Sequence, residues 1–164
     1  MNDSLRLFEF NKDADLSGWY VMDDVVMGGR SDGNLKINEE GNGLFHGDVS
    51  LENNGGFSSI QYRFDQKMIN KYKTCKIRLK GDGKSYQFRT KTNSFDRHSY
   101  ISHFETSGEW ETIEIPLGEM YPSFRGRKLD MPNFPCEQLS QISFLISNKK
   151  AEAFELELEW IELQ

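Results

Sequence analysis

Side chains that alternate between apolar and polar along short segments limit the fold of this chain more than any other feature. In residues 154–160, aromatic and leucine side chains alternate with three glutamates. A period of two places successive side chains on opposite faces of a strand, so this segment predicts a strand with one buried and one charged face. No long segment has the period of an amphipathic helix, and the pattern therefore indicates an all-β fold.

The same alternation predicts ten or eleven strands, separated by turns rich in glycine, asparagine and aspartate. The predicted strands are residues 5–10, 19–22, 35–37, 44–51, 59–64, 75–80, 86–91, 100–105, 110–115, 142–146 and 154–160. Residues 65–72 and 138–141 are predicted to form short helices or turns, and residues 118–135 are the longest irregular segment. Regularly spaced strands with glycine turns are typical of a β-sandwich or barrel, so we expect one domain over residues 1–164.

Composition argues against several classes of protein. Aromatic residues make up 13% of the 164 residues, more than a disordered chain carries. The formal net charge of −6 argues against a nucleic-acid-binding protein that relies on overall basic charge, so no nucleic-acid partner is expected. No apolar run approaches the roughly 20 residues of a transmembrane helix, and no secretory signal is visible. We therefore expect no transmembrane segment and a cytoplasmic location.

Residue types that carry catalysis or bind metals form no recognisable pattern. Cys75 and Cys136 lack the spacing of a zinc site and are expected to be reduced thiols. No hydrolase, metalloprotease or nucleotide-binding motif is present. His98 and His103 lie near one predicted strand at a spacing that places them on opposite faces. The sequence therefore predicts a non-catalytic chain without a metal or another cofactor.

Two glycine-rich segments, residues 23–33 and 52–57, each contain adjacent glycines between predicted strands. Glycine loses more backbone freedom on folding than any other residue, so such pairs mark places where the backbone passes close to another segment or to a ligand. Asn53 and Asn54 precede the second pair and tolerate left-handed conformations. The two segments are either demanding corners of the sandwich or loops that contact a partner.

Asp23 and Asp24 are the carboxylates next to the first glycine pair. One of them caps the turn by accepting backbone N–H groups, or one of them acts with a second carboxylate in a hydrolase site. Adjacent residues on a strand point in opposite directions, so only one of the two would face a given site. A calcium site built from such carboxylates is a third alternative.

Two predicted strands carry rows of basic residues, at residues 76–80 and 87–91. If the glutamates of the last predicted strand lie beside the first row, opposite charges stabilise the sheet by roughly 0.2–1 kcal/mol per pair. We expect the rows to form such a charged outer face. The alternative is a basic concave groove for an anionic ligand, to which Arg78 or Arg89 would contribute.

Arg125 and Arg127 flank Gly126 in the long irregular segment. A guanidinium group can bind a carboxylate or phosphate through two parallel hydrogen bonds. It can equally hold the loop against Asp23 or Asp24, and we expect this second arrangement.

Several segments together resemble the complex I intermediate-associated protein family, the thirty-kilodalton assembly-factor group. The segments that carry the resemblance are residues 19–31, 45–57, 81–86, 110–116, 125–127 and 154–158. They occur in the family's order over nearly the whole chain. The first two segments are specific, whereas the Gly81-Asp82-Gly83 turn and the last strand would be weak alone.

The resemblance implies a galactose-binding-like jelly roll of two antiparallel sheets packed face to face, in agreement with the alternation. Eukaryotic members of the family help to assemble respiratory NADH:ubiquinone oxidoreductase, and this chain is similar to the short stand-alone members of bacteria. The implied function is a non-catalytic module that binds a protein partner, such as respiratory-complex subunits or assembly intermediates. Carbohydrate binding is the alternative, because of the fold and the aromatic content.

The resemblance also implies candidate binding residues. They are Asp24, Arg30, Asn54, Arg63, Arg125 and Arg127. Gln61 stands about where the family often has an arginine, and Arg63, on the same strand face, is the expected substitute. We expect the two diglycine segments and the arginine segment to meet at one end of the sandwich as a recognition surface. Trp19, Trp110 and Trp160 are expected to pack in the core.

Overall fold

The computed structural model describes residues 4–24 and 28–164, and these residues form thirteen strands. In chain order the strands are β1 (Leu5–Glu9), β2 (Trp19–Asp23), β3 (Asp32–Ile37), β4 (Gly43–Val49), β5 (Ser58–Met68), β6 (Thr74–Lys80), β7 (Ser85–Lys91), β8 (Ser99–Glu105), β9 (Trp110–Pro116), β10 (Tyr121–Phe124), β11 (Arg127–Lys128), β12 (Gln138–Ile146) and β13 (Glu152–Leu163). Short 3-10 turns lie at Glu52–Asn54 and Leu117–Glu119. No described segment forms a helix of the length and hydrophobicity that crossing a bilayer requires.

The strands form two antiparallel sheets. The first sheet has the order β3-β4-β13-β6-β9, and β1 pairs with the second half of β13. The second sheet has the order β11-β10-β8-β7-β12-β5-β2. Two packed antiparallel sheets confirm the predicted all-β jelly-roll sandwich. β13 is the middle strand of the first sheet and β12 is an inner strand of the second, and they are the last two strands in the chain.

Alternating side chains from the two sheets fill one hydrophobic core cluster. Phe45 and Leu156 from the first sheet are fully buried, as are Phe88 and Phe144 from the second, whose ring centroids lie 5.3 Å apart. Burying one such side chain stabilises the fold by roughly 1.5–3 kcal/mol relative to exposing it. Cys75 is also in this core as a free thiol, and burial raises its pKa above the usual range.

The prediction that all three tryptophans pack in the core is correct for Trp19 alone. Trp19 is buried and stacks on Tyr62, with 4.9 Å between ring centroids. Trp160 is half-buried because the pairing of β13 with β6 shifts register between Leu158 and Trp160. Such a bulge changes which face the following residues occupy, so Trp160 lies under the guanidinium of Arg6 instead. Trp110 is half-buried beside Arg78.

Three segments differ from their predicted secondary structure. Residues 65–68 continue β5 and only residues 70–71 form a turn, while residues 138–141 begin β12. Both segments pair with each other, since Gln138 lies opposite Met68. Cross-strand pairing therefore decides the structure where the local pattern is ambiguous. The segment predicted to be irregular contains β10 and β11.

Candidate ligand-binding groove

Asp24, immediately after β2, joins the two diglycine segments. It is 1% exposed, and its Oδ1 accepts a hydrogen bond from the Ser31 backbone N–H at 2.8 Å. Its Oδ2 accepts one from the Ser31 hydroxyl at 2.5 Å and one from the Gly56 N–H at 2.6 Å. A longer bond comes from the Phe57 N–H at 3.2 Å. This carboxylate caps backbone donors from both segments, which is a structural role.

Glycine is required beside Asp24 because the backbone approaches its carboxylate closely. A Cβ on Gly29 would lie 2.4 Å from Asp24 Cγ, and a Cβ on Gly55 would lie 2.4 Å from Asp24 Oδ2. Asn53 adopts the left-handed conformation expected for it, with φ of 55°. Burial acts to raise the pKa of Asp24, but the hydrogen bonds from Ser31 and the second diglycine segment outweigh it and hold the pKa below its ordinary value.

Asp23 contributes to the same corner. Its Oδ1 accepts a hydrogen bond from the Ser58 hydroxyl at 2.5 Å, and its Oδ2 accepts one from the Gly33 N–H at 2.9 Å. Asp23 and Asp24 thus bind donors of their own corner, as the capping alternative predicts. Among the described residues, neither carboxylate lines either of the two clefts of the structure, so the geometry gives no support to a hydrolase site.

The second sheet presents a regular grid of polar side chains on its outer face. Three central strands, β5, β12 and β7, lie side by side, so outward residues align in rows across them. The rows are Arg63–Gln141–Lys91, Gln61–Ser143–Arg89 and Ser59–Leu145–Gln87. Neighbouring strands lie about 4.8 Å apart, and outward residues on one strand repeat at about 6.6 Å. The grid is basic at the first row and uncharged at the last.

A groove of about 630 Å³ lies over this grid. Met22 and Phe57 line it near the edge strand β2, and Phe124, Arg125 and Gly126 line it from the β10–β11 turn at the other edge. Its volume falls within the range of ligand sites. The groove therefore brings the arginine segment and the end of the second diglycine segment to one surface.

Arg125 reaches the groove from the tip of a tight hairpin. Phe124 and Arg127 are paired, and the two residues between them, Arg125 and Gly126, have φ of 50° and 78°. Two successive positive φ angles define a type I′ turn, in which asparagine and glycine are favoured. The Arg125 guanidinium lies 5.2 Å from the centre of the Phe124 ring. The expectation that Arg125 holds its loop against Asp23 or Asp24 is therefore wrong.

Five basic side chains lie in or beside the groove. They are Arg63, Arg89, Lys91, Arg97 and Arg125. Within residues 4–24 and 28–164, none of them forms an ion pair with a carboxylate. Arg63 instead donates to the side-chain oxygens of Gln141 and Gln61, both at 3.2 Å, and Arg89 donates to Gln87 at 2.7 Å. The amide partners of Arg63 and Arg89 are uncharged, so they do not neutralise these two guanidinium groups.

Burial lowers the pKa of both basic residues that β7 contributes to the grid, Arg89 and Lys91. The Lys91 ammonium donates a hydrogen bond to the backbone oxygen of Asp96 at 2.6 Å. The carboxylate of Asp96 favours the charged form of Lys91, and Arg63 and Arg89 disfavour it. A nearby negative ligand charge would stabilise the charged forms of both residues.

The two basic rows recognised in the sequence have different charged neighbours in the structure. Residues 76–80 lie on β6 of the first sheet, between β13 and β9. Lys76 pairs with Glu114 at 3.2 Å and Arg78 with Glu159 at 3.9 Å, which confirms the charged outer face for this row. Residues 87–91 lie in the groove of the second sheet, where the expectation of paired charges is wrong.

The candidate residues named from the sequence do not form one cluster. Arg125 lines the groove, and Arg63 is bonded to two lining amides. Arg30 is exposed, 3.6 Å from Glu52, and Arg127 is exposed on β11. The side chain of Asn54 lies outside the described part of the structure.

The predicted recognition surface at one end of the sandwich needs one revision. The two diglycine segments meet at Asp24 as expected. The arginine segment approaches the groove from the opposite edge of the second sheet. It faces the second diglycine segment across the groove and does not lie beside it.

The sequence analysis did not identify the uncharged polar residues of the grid as candidate site residues. Gln141 and Ser143 are the outward residues between the buried side chains of β12, and both are less than 5% exposed. Polar residues that alternate with buried apolar ones indicate an outward polar face. That this face is recessed becomes clear only when β12 is known to have strands on both sides. Arg97, on the β7–β8 loop, carried no such signal.

A second cleft of about 480 Å³ lies beside β1. Its main basic residue, Arg6, binds Glu162 at 2.7 Å and also Glu9. The charge of Arg6 is compensated within the protein, and carboxylates share the lining of this cleft, so the groove is the better candidate site for an anionic ligand. Among the described residues, no three His, Cys, Asp or Glu side chains come together to hold a metal ion.

The comparison with protein families decides the relationship of this chain. A model of the family described as Complex I intermediate-associated protein 30 matches residues 8–158. The chain belongs to this family. The resemblance stated from the sequence motifs is thereby confirmed.

Two curated relatives carry the family name, and both are described as mitochondrial. The one from Drosophila melanogaster is 24% identical, and the alignment covers 96% of this chain and 62% of the relative. The one from Mus musculus is 26% identical, with 98% and 56% covered. The chain thus spans about three fifths of the length of the curated relatives it matches.

Solved structures similar to this fold are carbohydrate-binding modules. The family 11 module of a cellulosomal cellulase of Clostridium thermocellum has a TM-score of 0.71 at 16% identity, covering 98% of this chain and 94% of the module. A structure of a Clostridium thermocellum family 11 module in complex with a β-1,3-1,4-mixed-linked tetrasaccharide has a TM-score of 0.67. At these identities the likeness shows the fold alone, and it confirms the galactose-binding-like jelly roll.

Proposed function

We propose that this chain is a non-catalytic binding module that recognises a polypeptide of a respiratory NADH:ubiquinone oxidoreductase assembly intermediate. The observation that carries the proposal is the family match over residues 8–158, since the family is described by its association with complex I intermediates. The corner carboxylates support a non-catalytic role, because Asp23 and Asp24 are bound to donors of their own corner.

The binding site in this proposal is the groove of the second sheet. Arg63 and Arg125 are the sequence-derived candidates that reach it, and we add Arg89, Lys91 and Arg97. Arg30 and Arg127 remain predicted contacts outside the groove. Asp24 contributes indirectly, because it holds the corner that places Phe57 at the groove.

Deletion of the gene in its host tests this function. We expect mature NADH:ubiquinone oxidoreductase to fall and assembly intermediates to accumulate on native gels, with recovery when the wild-type chain is restored. We also expect the immobilised chain to capture a subunit of this complex from the host. Unchanged complex levels, together with no captured subunit, would refute the proposal.

Carbohydrate binding is the second candidate, and the form of the groove favours it. Three glutamines, Gln61, Gln87 and Gln141, line a sheet-face groove in a fold shared with carbohydrate-binding modules. Amide and guanidinium groups can hydrogen-bond sugar hydroxyls. Calorimetric titration with the β-1,3-1,4-mixed-linked tetrasaccharide tests this alternative, and the absence of heat and of amide NMR shifts would dismiss it.

A cytoplasmic location and the absence of a nucleic-acid partner are part of the same proposal. The location rests on the sequence, in which no apolar run approaches the length of a transmembrane helix, and the second point rests on the net charge of −6. Fractionation of host cells with an antibody against the chain would test the location. A gel-shift assay with single- and double-stranded DNA and RNA would test the second point, and binding at physiological salt would contradict it.

A further inference from the structure

We infer that the groove of the second sheet binds an acidic, extended segment of the partner polypeptide, with carboxylates at alternate positions facing the basic end of the groove. This inference rests on the proposed function and deepens it by assigning the chemistry of the recognised segment. The inference depends on the charge of the groove, on the spacing of the grid residues and on the polarity of the two ends of the groove.

The charge of the groove contrasts with that of the whole chain. The chain carries a net charge of −6, yet the sixteen residues that line the groove include four basic side chains and no carboxylate. Arg6, Lys76 and Arg78 elsewhere on the surface each have a carboxylate within 4.0 Å. A low-charge or basic partner would leave the groove cations uncompensated, whereas an acidic partner supplies the missing charge.

The spacing of the central cations matches an extended peptide. Arg89 and Lys91 are two residues apart on one face of β7, which places their backbones about 6.6 Å apart. Side chains on one face of an extended peptide repeat at the same distance. A segment parallel or antiparallel to β7, with acidic residues at every second position, therefore brings one carboxylate to each cation.

The polar residues beside the two cations, on the neighbouring strand β12, fit the polar backbone of such a segment. Gln141 and Ser143 on β12 lie directly opposite Lys91 and Arg89, and both are almost completely recessed. Amide and hydroxyl groups donate and accept hydrogen bonds, so they can bind backbone N–H and C=O groups of a bound strand. A folded acidic domain would not reach these recessed groups.

The two ends of the groove differ in polarity. Leu145, Met22 and Phe57 line the uncharged end, and they are suited to an apolar side chain of the partner. Phe95, on the β7–β8 loop beside the basic end, is 92% exposed. Such an exposed aromatic ring offers apolar area that a bound partner can bury. The preferred segment is thus acidic in its centre and apolar at its ends.

Fluorescence anisotropy with a labelled synthetic peptide tests this inference. The probe is a peptide of about twelve residues in which glutamate alternates with serine and leucines occupy both ends. The matched control peptide has glutamine in place of every glutamate. We expect the acidic probe to bind at least about tenfold more tightly than the control peptide, and equal binding of the two peptides would overturn the inference.

Paired variants locate the binding. The groove variant Arg89→Gln/Lys91→Gln and the control variant Lys76→Gln/Arg78→Gln remove the same charge from opposite faces of the sandwich. We expect about a tenfold loss of probe affinity in the groove variant and less than about a twofold change in the control. Equal losses would refute the groove. The exposed pair Arg97→Gln/Arg125→Asn gives the same readout if the first variant folds poorly.

The inference and the proposed function fail in distinguishable ways. If the groove variant restores mature NADH:ubiquinone oxidoreductase in the deletion strain as fully as wild type, the partner binds elsewhere and the inference is wrong. The proposed recognition of an assembly intermediate then stands, but its assignment to the groove does not. If the probe binds in the groove but the deletion leaves the complex unchanged, the proposed function is wrong. Binding of the mixed-linked tetrasaccharide, with no binding of the acidic probe, would overturn the inference in favour of a sugar ligand.

Discussion

The outer faces of the two sheets carry similar basic rows in opposite surroundings. On the first sheet, β6 lies between β9 and the glutamate-rich β13, so Lys76 and Arg78 meet carboxylates. On the second sheet, β7 lies between β8 and β12, and Arg89 is opposite Ser143 and Ile101. The neighbours of a strand, and not its own sequence, decide whether a basic row is neutralised or available.

The comparison suggests a general rule for the polar groups of this chain. Groups with partners inside the protein contribute to stability, and groups without charged partners are available for a ligand. The following predictions test or refine this rule, beginning with the largest expected effect.

Asp24 is the extreme case of a polar group with internal partners, so Asp24→Ala tests the rule most severely. The substitution leaves the buried N–H groups of Ser31, Gly56 and Phe57 without an acceptor, and we expect a loss of roughly 2–4 kcal/mol in the free energy of unfolding. Urea denaturation followed by circular dichroism measures it. The exposed Asp48→Ala is the control and should change stability by less than about 0.5 kcal/mol. Similar values for the two variants would break the rule.

Salt tests the availability of the groove charges. Raising sodium chloride from about 50 to 300 mM should weaken binding of the acidic probe to the wild-type chain several-fold, because ions screen exposed charges. The Arg89→Gln/Lys91→Gln variant should show a clearly smaller salt dependence. Identical salt dependence would show that other cations attract the probe.

Stability should respond to the same two pairs of variants in the opposite order from binding. Lys76→Gln/Arg78→Gln removes charges that pair with Glu114 and Glu159 on the first sheet, and should cost about 0.5–1 kcal/mol. Arg89→Gln/Lys91→Gln removes partly buried charges that have no carboxylate partner, and should leave the free energy of unfolding unchanged or slightly raised. Thermal and urea denaturation measure both. A larger loss in the groove variant would contradict the comparison.

Acid should lower the stability of the first sheet by protonating Glu162. Hydrogen bonds from Gln164 and Arg6 hold the pKa of Glu162 below its ordinary value, despite partial burial. A carboxyl with a lowered folded-state pKa contributes stability above its unfolded pKa of about 4.3, and this contribution is lost as pH falls through the folded pKa. We expect Glu162→Gln to be slightly less stable than wild type at neutral pH and equally stable well below pH 4. A constant difference across this range would exclude ionisation as its cause.

Alternation in the sequence was sufficient to predict most strands and the all-β class, because each strand buries one face. It failed where pairing overrides the local pattern. The register shift in β13 turns Trp160 outward, and no local signal marks it. β10 contains Pro122 and lies in a proline-rich segment, so its pairing with β8 was not visible either.

The candidate site was only partly visible for the same reason. Residues 76–80 and 87–91 are alike in sequence, and only their positions in different sheets separate them. The role of Asp24 as a cap follows from an acidic residue beside glycines, a local pattern that the sequence does show. The groove combines residues from six strands and four connecting segments, and such a surface exists only after the sheets are assembled.

The late position of β12 and β13 in the chain has a consequence for synthesis on the ribosome. β12 lies between β5 and β7, and β13 lies between β4 and β6. Each sheet therefore lacks an inner strand until these two strands emerge. The strands made earlier have unpaired edges and uncovered apolar faces until then, and such a state is prone to aggregation. Slowing translation after residue 137 should therefore lower the yield of native chain, whereas slowing it near residue 70 should not.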